Sequence, residues 1–134
     1  MKPAARIFRI FLFVAYVCAV AWLCFGEFKP DPDMPRRLWG IPMDKVVHFL
    51  MFLPFPLLAY GALGVRPRSF FLSLLLVAGI FAAGLVLSGG TEVVQSYLSW
   101  RSGDLRDFEA DTLALGISSG FVLLIETVRQ IRRR

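Results

Sequence analysis

Four apolar runs, each close to twenty residues long, constrain this chain of 134 residues more than any other feature. Each run approaches the length that a helix needs to cross about 30 Å of hydrocarbon. Hydrophobic residues make up 57% of the chain and charged residues 19%, and both values depart from those of a soluble domain. In lipid, a helix of this length satisfies its own backbone groups. The sequence therefore predicts an all-α, polytopic membrane protein, a single-domain four-helix bundle over residues 1–134 with helices at roughly 7–25, 46–64, 69–99 and 105–128.

The lysines and arginines predict the orientation of this bundle. Basic residues cluster at the N-terminus, around Arg66 and Arg68, and at the C-terminus, whereas the borders of the third loop are acidic. This alternation predicts that both termini are cytoplasmic, because cytoplasmic segments carry the excess of lysine and arginine. Basic residues placed beside apolar runs do not form a phosphate-binding stripe, so nucleic acid is excluded as a partner.

The spans carry three further signals. The "AVA" of residues 19–21 resembles a signal-peptide cleavage site, but the apolar run continues into "WLCF", which favours an uncleaved anchor. Pro54 and Pro56 predict a kink in the second span. Gly116 and Gly120 of the fourth span have the spacing of small residues at which helices approach closely, and the third span offers small residues for the same purpose, namely Ala78, Gly79, Ala82, Ala83 and Gly84.

A first polar cluster lies at the start of the second span, in "DKVVHF". Asp44 and His48 are four residues apart and share one helix face, and Lys45 lies three residues before His48. A structural interpretation is available for each residue. Asp44 would cap the helix, Lys45 would extend its amine to the membrane interface, and His48 would make one hydrogen bond.

A second polar cluster joins the third and fourth spans, in "SGGTEVVQSYLSWRSGDLRDFEADTLA", residues 88–114. Glu92 and Gln95 share a helix face. Asp104, a good N-cap residue, is followed by Asp107 and Asp111 at one-turn intervals, so all three project from one side of the helix. The uncharged part of this span is too short to cross the membrane, which places Asp111 below the boundary, where acids are usually paired and functional.

Four crossing helices would bring both clusters to one end of the bundle, on the extracytoplasmic side. Nine polar side chains are predicted to share a pocket there. Those assigned to catalysis are His48, Glu92, Asp44 and Asp107, and those assigned to substrate binding are Lys45, Gln95, Arg101, Asp104 and Asp111. The carboxylates are also typical ligands of divalent metals, although the sequence identifies neither a metal nor another cofactor. Glu109 and Arg106 lie off the acidic face and are predicted to be solvated.

Three segments of the chain resemble the VanZ-like family of small bacterial membrane proteins. They are "MDKVVHFLMF", "TEVVQ" and "RSGDLRD", in the family's order and spacing, whereas the usual "DxxxN" is replaced here by "DFEAD", with Asp111 in place of asparagine. The resemblance implies a bacterial cytoplasmic (inner) membrane location and an association with resistance to the glycopeptide teicoplanin. It implies no biochemical mechanism.

Three functions are compatible with these residues. In the first, the pocket binds or modifies a lipid-linked or cell-wall-related substrate, with His48 as acid or base and with Lys45 and Arg101 holding a phosphate or carboxylate. The expected partners are membrane lipids and a lipid-linked cell-wall precursor. In the second, the charges form a non-catalytic ion-pair network that supports partner binding. The third is proton- or ion-coupled transport, against which a site at one face of four short helices argues.

Overall fold

The computed structural model describes residues 3–27, 36–100 and 103–133. These residues form five helices and one short hairpin, and the all-α prediction is confirmed apart from that hairpin. The elements in chain order are α1 (Pro3–Phe25), β1 (Arg37–Leu38), β2 (Ile41–Pro42), α2 (Met43–Phe52), α3 (Phe55–Leu63), α4 (Phe70–Ser96) and α5 (Leu105–Ile131).

Four helical segments are long and apolar enough to cross a membrane, as predicted. They are α1, the α2–α3 pair taken as Met43–Leu63, α4 and α5. The predicted boundaries were wrong by a few residues at several ends: the first helix begins at Pro3, the third ends at Ser96 and the fourth continues to Ile131. Large apolar side chains such as Phe8 and Phe11 are exposed along α1, as expected for surfaces that face lipid.

The second span is interrupted where its prolines predicted a kink. Helix α2 ends at Phe52, and α3 begins at Phe55 with Pro54 as its N-cap residue and Pro56 in its first turn. A proline has no backbone N–H to donate and its ring collides with the preceding turn, so one straight helix cannot continue through this segment. The break leaves α2 as a short helix of 10 residues that carries the first polar cluster.

A two-residue hairpin precedes α2 directly. Its turn consists of Trp39 and Gly40, whose φ angles of 49° and 83° are both positive, as in the tight turns that join antiparallel strands. The backbone N–H of Met43 donates to the carbonyl of Arg36 at 3.1 Å, which ties the start of α2 to the hairpin. The hairpin thus sets the point at which the first polar cluster begins.

Helix α5 is the centre of the bundle, because it contacts α2, α3 and α4. Its Leu115 is fully buried, and a Cβ added to Gly84 of α4 would lie 2.6 Å from Leu115 Cδ2. The close approach of two helices therefore occurs at Gly84. The prediction that Gly116 and Gly120 mark such an approach was wrong, since both are exposed and a Cβ at Gly120 would meet nothing within 4 Å.

Candidate functional site

The two predicted polar clusters meet at one end of the bundle. Lys45 of α2 contacts Asp107 of α5, and His48 of α2 lies near Glu92 of α4. At the same end, the indole N–H of Trp100, just beyond α4, donates to the carbonyl of Phe25 at the end of α1, at 3.4 Å. The prediction that three separated segments converge is therefore confirmed for the described residues, and we call this group of side chains the acidic pocket.

Lys45 is the cation on which three carboxylates converge. Its Nζ lies 2.5 Å from Asp107 Oδ1, 2.7 Å from Asp104 Oδ2 and 3.0 Å from Asp44 Oδ2. Because all three hydrogens of an ammonium group are satisfied by these oxygens, Lys45 acts first as a counter-ion inside the pocket. The role of phosphate ligand predicted for it would require at least one of these bonds to break.

Asp104 is the N-cap residue of α5, as predicted. Its Oδ1 accepts from the backbone N–H of Arg106 at 2.9 Å, and its Oδ2 accepts from Lys45. Both hydrogen bonds favour the charged form of Asp104 and hold its pKa below the ordinary value. The bond from Lys45 has the larger effect and the bond from Arg106 the smaller one. The same residue therefore starts α5 and fastens it to α2.

The buried part of the pocket is arranged around His48. Its Nδ1 lies 3.4 Å from Asp111 Oδ2 and 3.7 Å from Glu92 Oε1, and its Nε2 lies 3.7 Å from Asp107 Oδ2. Because a carboxylate can only accept, the Asp111 contact favours the tautomer with the proton on Nδ1. The lone pair of Nε2 then faces Asp107.

Asp111 is held by Ser88 of α4, which was not among the predicted site residues. Its side chain is 0% exposed, and its Oδ2 accepts from the hydroxyl of Ser88 at 2.6 Å. Its other oxygen, Oδ1, has no hydrogen-bond partner among the described residues, although it lies 3.3 Å from His48 Nδ1. Asp111 is thus the most deeply buried acid of the pocket.

Glu92 joins the end of α4 to the start of α5. Its Oε2 accepts from the backbone N–H of Asp104 at 2.9 Å, whereas its buried Oε1 has no hydrogen-bond partner among the described residues. Gly103 lies very close to α4, because a Cβ added to it would lie 2.7 Å from the carbonyl oxygen of Glu92. Only glycine fits this position without a shift of the backbone.

The side chains of the acidic pocket range from exposed to fully buried. At its mouth, 56% of the Asp44 side chain and 43% of the Asp104 side chain are exposed. Lys45 and Asp107 are largely buried beneath them, and His48 and Asp111 are buried deeper in the bundle. A ligand at the end of the bundle would therefore meet Asp44 and Asp104 first.

Some predicted site residues have other positions or roles. Gln95 is buried, but its Nε2 donates to the carbonyl of Cys24 at 2.9 Å, which binds α4 to α1. Asp44 does not cap α2: the N-cap residue is Pro42, and no side chain caps it. Arg101 lies outside the described residues. Glu109 and Arg106 are exposed, as predicted.

A second buried charge cluster, at the other end of α5, was missed by the sequence analysis. Glu126 is fully buried and accepts hydrogen bonds from the hydroxyl of Tyr60 and from Arg129 Nη1, and that hydroxyl accepts from Arg129 at 2.7 Å. The available signal was an acid three residues before an arginine within an apolar run. This cluster neutralises itself and is separate from the acidic pocket.

Comparison with known proteins identifies similarity without assigning an activity. The chain is 31% identical over 107 residues to an uncharacterised protein of Schizosaccharomyces pombe, and the match covers 80% of this chain and 57% of the relative. The matched segment thus spans less than two thirds of the relative's length. No family model matches the chain, and no solved structure matches it. The resemblance to the VanZ-like family therefore rests on the three motifs alone.

Proposed function

We propose that the acidic pocket binds the polar headgroup of a membrane lipid or lipid-linked substrate at the membrane surface. One observation carries this proposal: a buried imidazole and a buried carboxylate, His48 and Asp111, are connected through Asp107 and Lys45 to exposed carboxylates at the ends of membrane-spanning helices. Acids at such a depth are costly and usually functional.

The surroundings of the mouth favour an amphiphilic ligand over a water-soluble one. Leu105, next to Asp104, is 73% exposed, and Trp39 in the hairpin before Asp44 is 92% exposed. Tryptophan is enriched where membrane meets water. Exposed apolar side chains beside the exposed carboxylates suit an amphiphilic ligand. Its acyl chains would contact the apolar side chains, and hydroxyl or amine groups of its headgroup would donate to the carboxylates.

Membrane orientation and biological role belong to the same proposal. We place the acidic pocket on the extracytoplasmic side and both termini in the cytoplasm, because the opposite end of the bundle carries the basic residues Arg6, Arg66, Arg129 and Arg132. A bacterial inner-membrane location and a link to teicoplanin resistance follow from the family resemblance alone. Similarity to a yeast protein favours a lipid class that bacteria and fungi share over a precursor of the bacterial cell wall.

A second candidate function is a non-catalytic module in which the charges hold three helices together. Its supporting observation is that Lys45 is bonded to three carboxylates and that Glu92 accepts from the backbone of α5. In this case the pocket would be an internal joint that positions a surface for a partner. Removal of one member would then unfold the protein, because a buried charge would lose its partner.

His48→Ala and Glu92→Gln distinguish the two functions. The protein and both variants would be purified in mild detergent, and the lipids that remain bound would be identified by native mass spectrometry and extraction. Glu109→Gln, an exposed acid on α5, is the matched control. The proposed function predicts folded variants without the lipid that the wild type and the control retain. Loss of folding in both variants supports the structural joint, and equal lipid retention in all four proteins refutes headgroup binding.

A further inference from the structure

We propose that the acidic pocket holds one divalent transition-metal ion, with His48, Glu92 and Asp107 as its protein ligands. One ligand atom from each residue lies within 4.8 Å of those of the other two, and the three residues come from α2, α4 and α5. The inference deepens the proposed function, on which its biological meaning rests, because a bound cation would let a carboxylate-lined pocket accept a phosphate-bearing headgroup.

The distances around His48 suit shared coordination better than hydrogen bonding. Its Nε2 and Asp107 Oδ2 are 3.7 Å apart, which exceeds a normal hydrogen bond of about 2.7–3.2 Å. Two ligand atoms at about 2.0–2.2 Å from one tetrahedral Zn²⁺ are about 3.3–3.6 Å apart. Glu92 offers a carboxylate oxygen within 4.8 Å of the ligand atoms of the other two residues, and its side chain would move toward the ion on binding.

Asp111 and Ser88 provide the support that a metal-ligating histidine normally has. Such a histidine donates its other ring N–H to a carboxylate, which fixes the tautomer and the orientation of the ring. Here the fully buried Asp111 lies against Nδ1 of His48, and the hydroxyl of Ser88 holds Asp111 in turn. This leaves Nε2 as the ligand nitrogen, on the side of Asp107.

Unsatisfied charge points to the same conclusion. The buried described part of the pocket contains the carboxylates of Glu92, Asp107 and Asp111, the ammonium of Lys45 and the imidazole of His48. Three acids therefore face one ammonium and one imidazole, so ionised acids outnumber the cations even with His48 protonated. Glu92 Oε1 and Asp111 Oδ1 are buried without a hydrogen bond from any described residue. Uncompensated buried charge is strongly unfavourable, and a divalent cation would neutralise it.

The other group of acids in the pocket is not a metal site. Asp44, Asp104 and Asp107 also offer oxygens within 4.8 Å of one another, but the Nζ of Lys45 lies between them at 2.5–3.0 Å from each. An ammonium group already occupies the position that an ion would take. Asp107 can serve both groups, because its Oδ1 faces Lys45 and its Oδ2 faces His48.

The ligand set limits which ions fit. One imidazole with two carboxylates suits Mn²⁺, Fe²⁺ and Zn²⁺, whereas Ca²⁺ and Mg²⁺ take oxygen ligands almost exclusively. A metal ligated through His48 Nε2 would make this residue a ligand, in place of the general acid or base that the sequence suggested. Remaining coordination positions would be open to water or to a phosphate oxygen of the headgroup.

Metal binding by the purified full chain tests the inference without any lipid. Protein in mild detergent would be stripped with a chelator and titrated with ZnCl₂, and its metal content would be measured after desalting. CoCl₂ would serve as a spectroscopic probe, because the visible bands of Co²⁺ report on nitrogen and oxygen ligands. We expect one Zn²⁺ per chain, Co²⁺ bands that Zn²⁺ abolishes, and much weaker binding of Ca²⁺ and Mg²⁺.

Variants locate the ion. Glu92→Gln and Asp107→Asn should each weaken Zn²⁺ binding more than tenfold, and Asp111→Asn should weaken it about 10–100-fold through His48, as is usual for residues behind a ligand. Glu109→Gln should bind as the wild type does. If a variant does not fold, the Co²⁺ spectrum of the wild type still shows whether nitrogen and oxygen ligands bind the ion.

The outcomes separate this inference from the proposed function. A wild-type protein that binds no Zn²⁺ at a 1:1 ratio, or that loses it equally in Glu109→Gln, overturns the metal site. If the chelator-treated protein still retains its lipid, headgroup binding does not depend on the ion and the proposed function stands without it. Stoichiometric Zn²⁺ without any retained lipid would establish the metal site and leave headgroup binding refuted.

Discussion

Replacement of Lys45 by methionine is the most direct test of how the acidic pocket is held together. Methionine keeps most of the length of the side chain and removes the ammonium that three carboxylates share. Asp107 is largely buried, and a buried charge that loses its partner costs about 3–5 kcal/mol. The Asp107 carboxylate lies under an exposed mouth, so we expect about 2–3 kcal/mol from it.

The other two partners add little. Asp44 is more than half exposed, and an exposed ion pair contributes at most about 0.5–1 kcal/mol. Asp104 is also screened by water. We therefore expect Lys45→Met to lower the free energy of unfolding by about 3 kcal/mol. We attribute most of this loss to the unpaired carboxylate of Asp107. The double variant Lys45→Met/Asp107→Asn measures that contribution.

Reversible unfolding in mild detergent, followed by tryptophan fluorescence and circular dichroism, measures this loss. Arg106→Met, a change at an exposed arginine of α5, is the matched control and should cost less than about 0.5 kcal/mol. Adding Asp107→Asn to Lys45→Met should recover about 1–2 kcal/mol, because the unpaired charge is removed. A Lys45→Met protein as stable as the control, with a chelator present in all samples, would refute the reasoning.

Three further changes test other parts of the structure. Gly103→Ala should destabilise by about 1–3 kcal/mol, since its Cβ would lie 2.7 Å from the carbonyl of Glu92, whereas Gly90→Ala, with nothing within 4 Å, should not; thermal unfolding compares the two. Asp104→Asn should lose stability at pH 7, and its difference from wild type should vanish in a pH series that falls through the lowered pKa of Asp104, where the wild-type carboxyl also becomes neutral. Glu126→Gln should cost about 1–3 kcal/mol in the same unfolding assay, because a fully buried acceptor of two hydrogen bonds loses its charge.

The membrane fold could be predicted from the sequence because its signals are local. Length and hydropathy indicate each span, and the break before α3 follows from the chemistry of Pro54 at that position. Helix ends were less accessible: α4 ends at Ser96, and the nearby contact between the Glu92 side chain and the backbone N–H of Asp104 joins residues of two different helix ends. The hairpin at Trp39 and Gly40 was not predicted, because two residues leave no periodic pattern.

The site was predicted as a set of residues but not as a set of bonds. Helical spacing placed Asp104, Asp107 and Asp111 on one side of α5. The structure confirms that all three face α2, where the first two contact Lys45 and the third contacts His48. The spacing could not show that Gln95 bonds to α1 instead, since this depends on which face of α4 packs against that helix. Ser88 gave no signal, because a serine in a span is most often a packing residue.

The amino-acid sequence by itself determined that this chain forms four membrane-spanning helices and that its charged residues lie at their ends. These properties depend on the composition of continuous segments and on the cost of charge in hydrocarbon. Only the tertiary structure decided that Lys45 bonds to three carboxylates while Glu92 and Asp111 each keep an oxygen without a hydrogen bond from a described residue. Two of the partners of Lys45, Asp104 and Asp107, lie 59 and 62 residues from it in the chain, and their distances are set by how α2 and α5 pack.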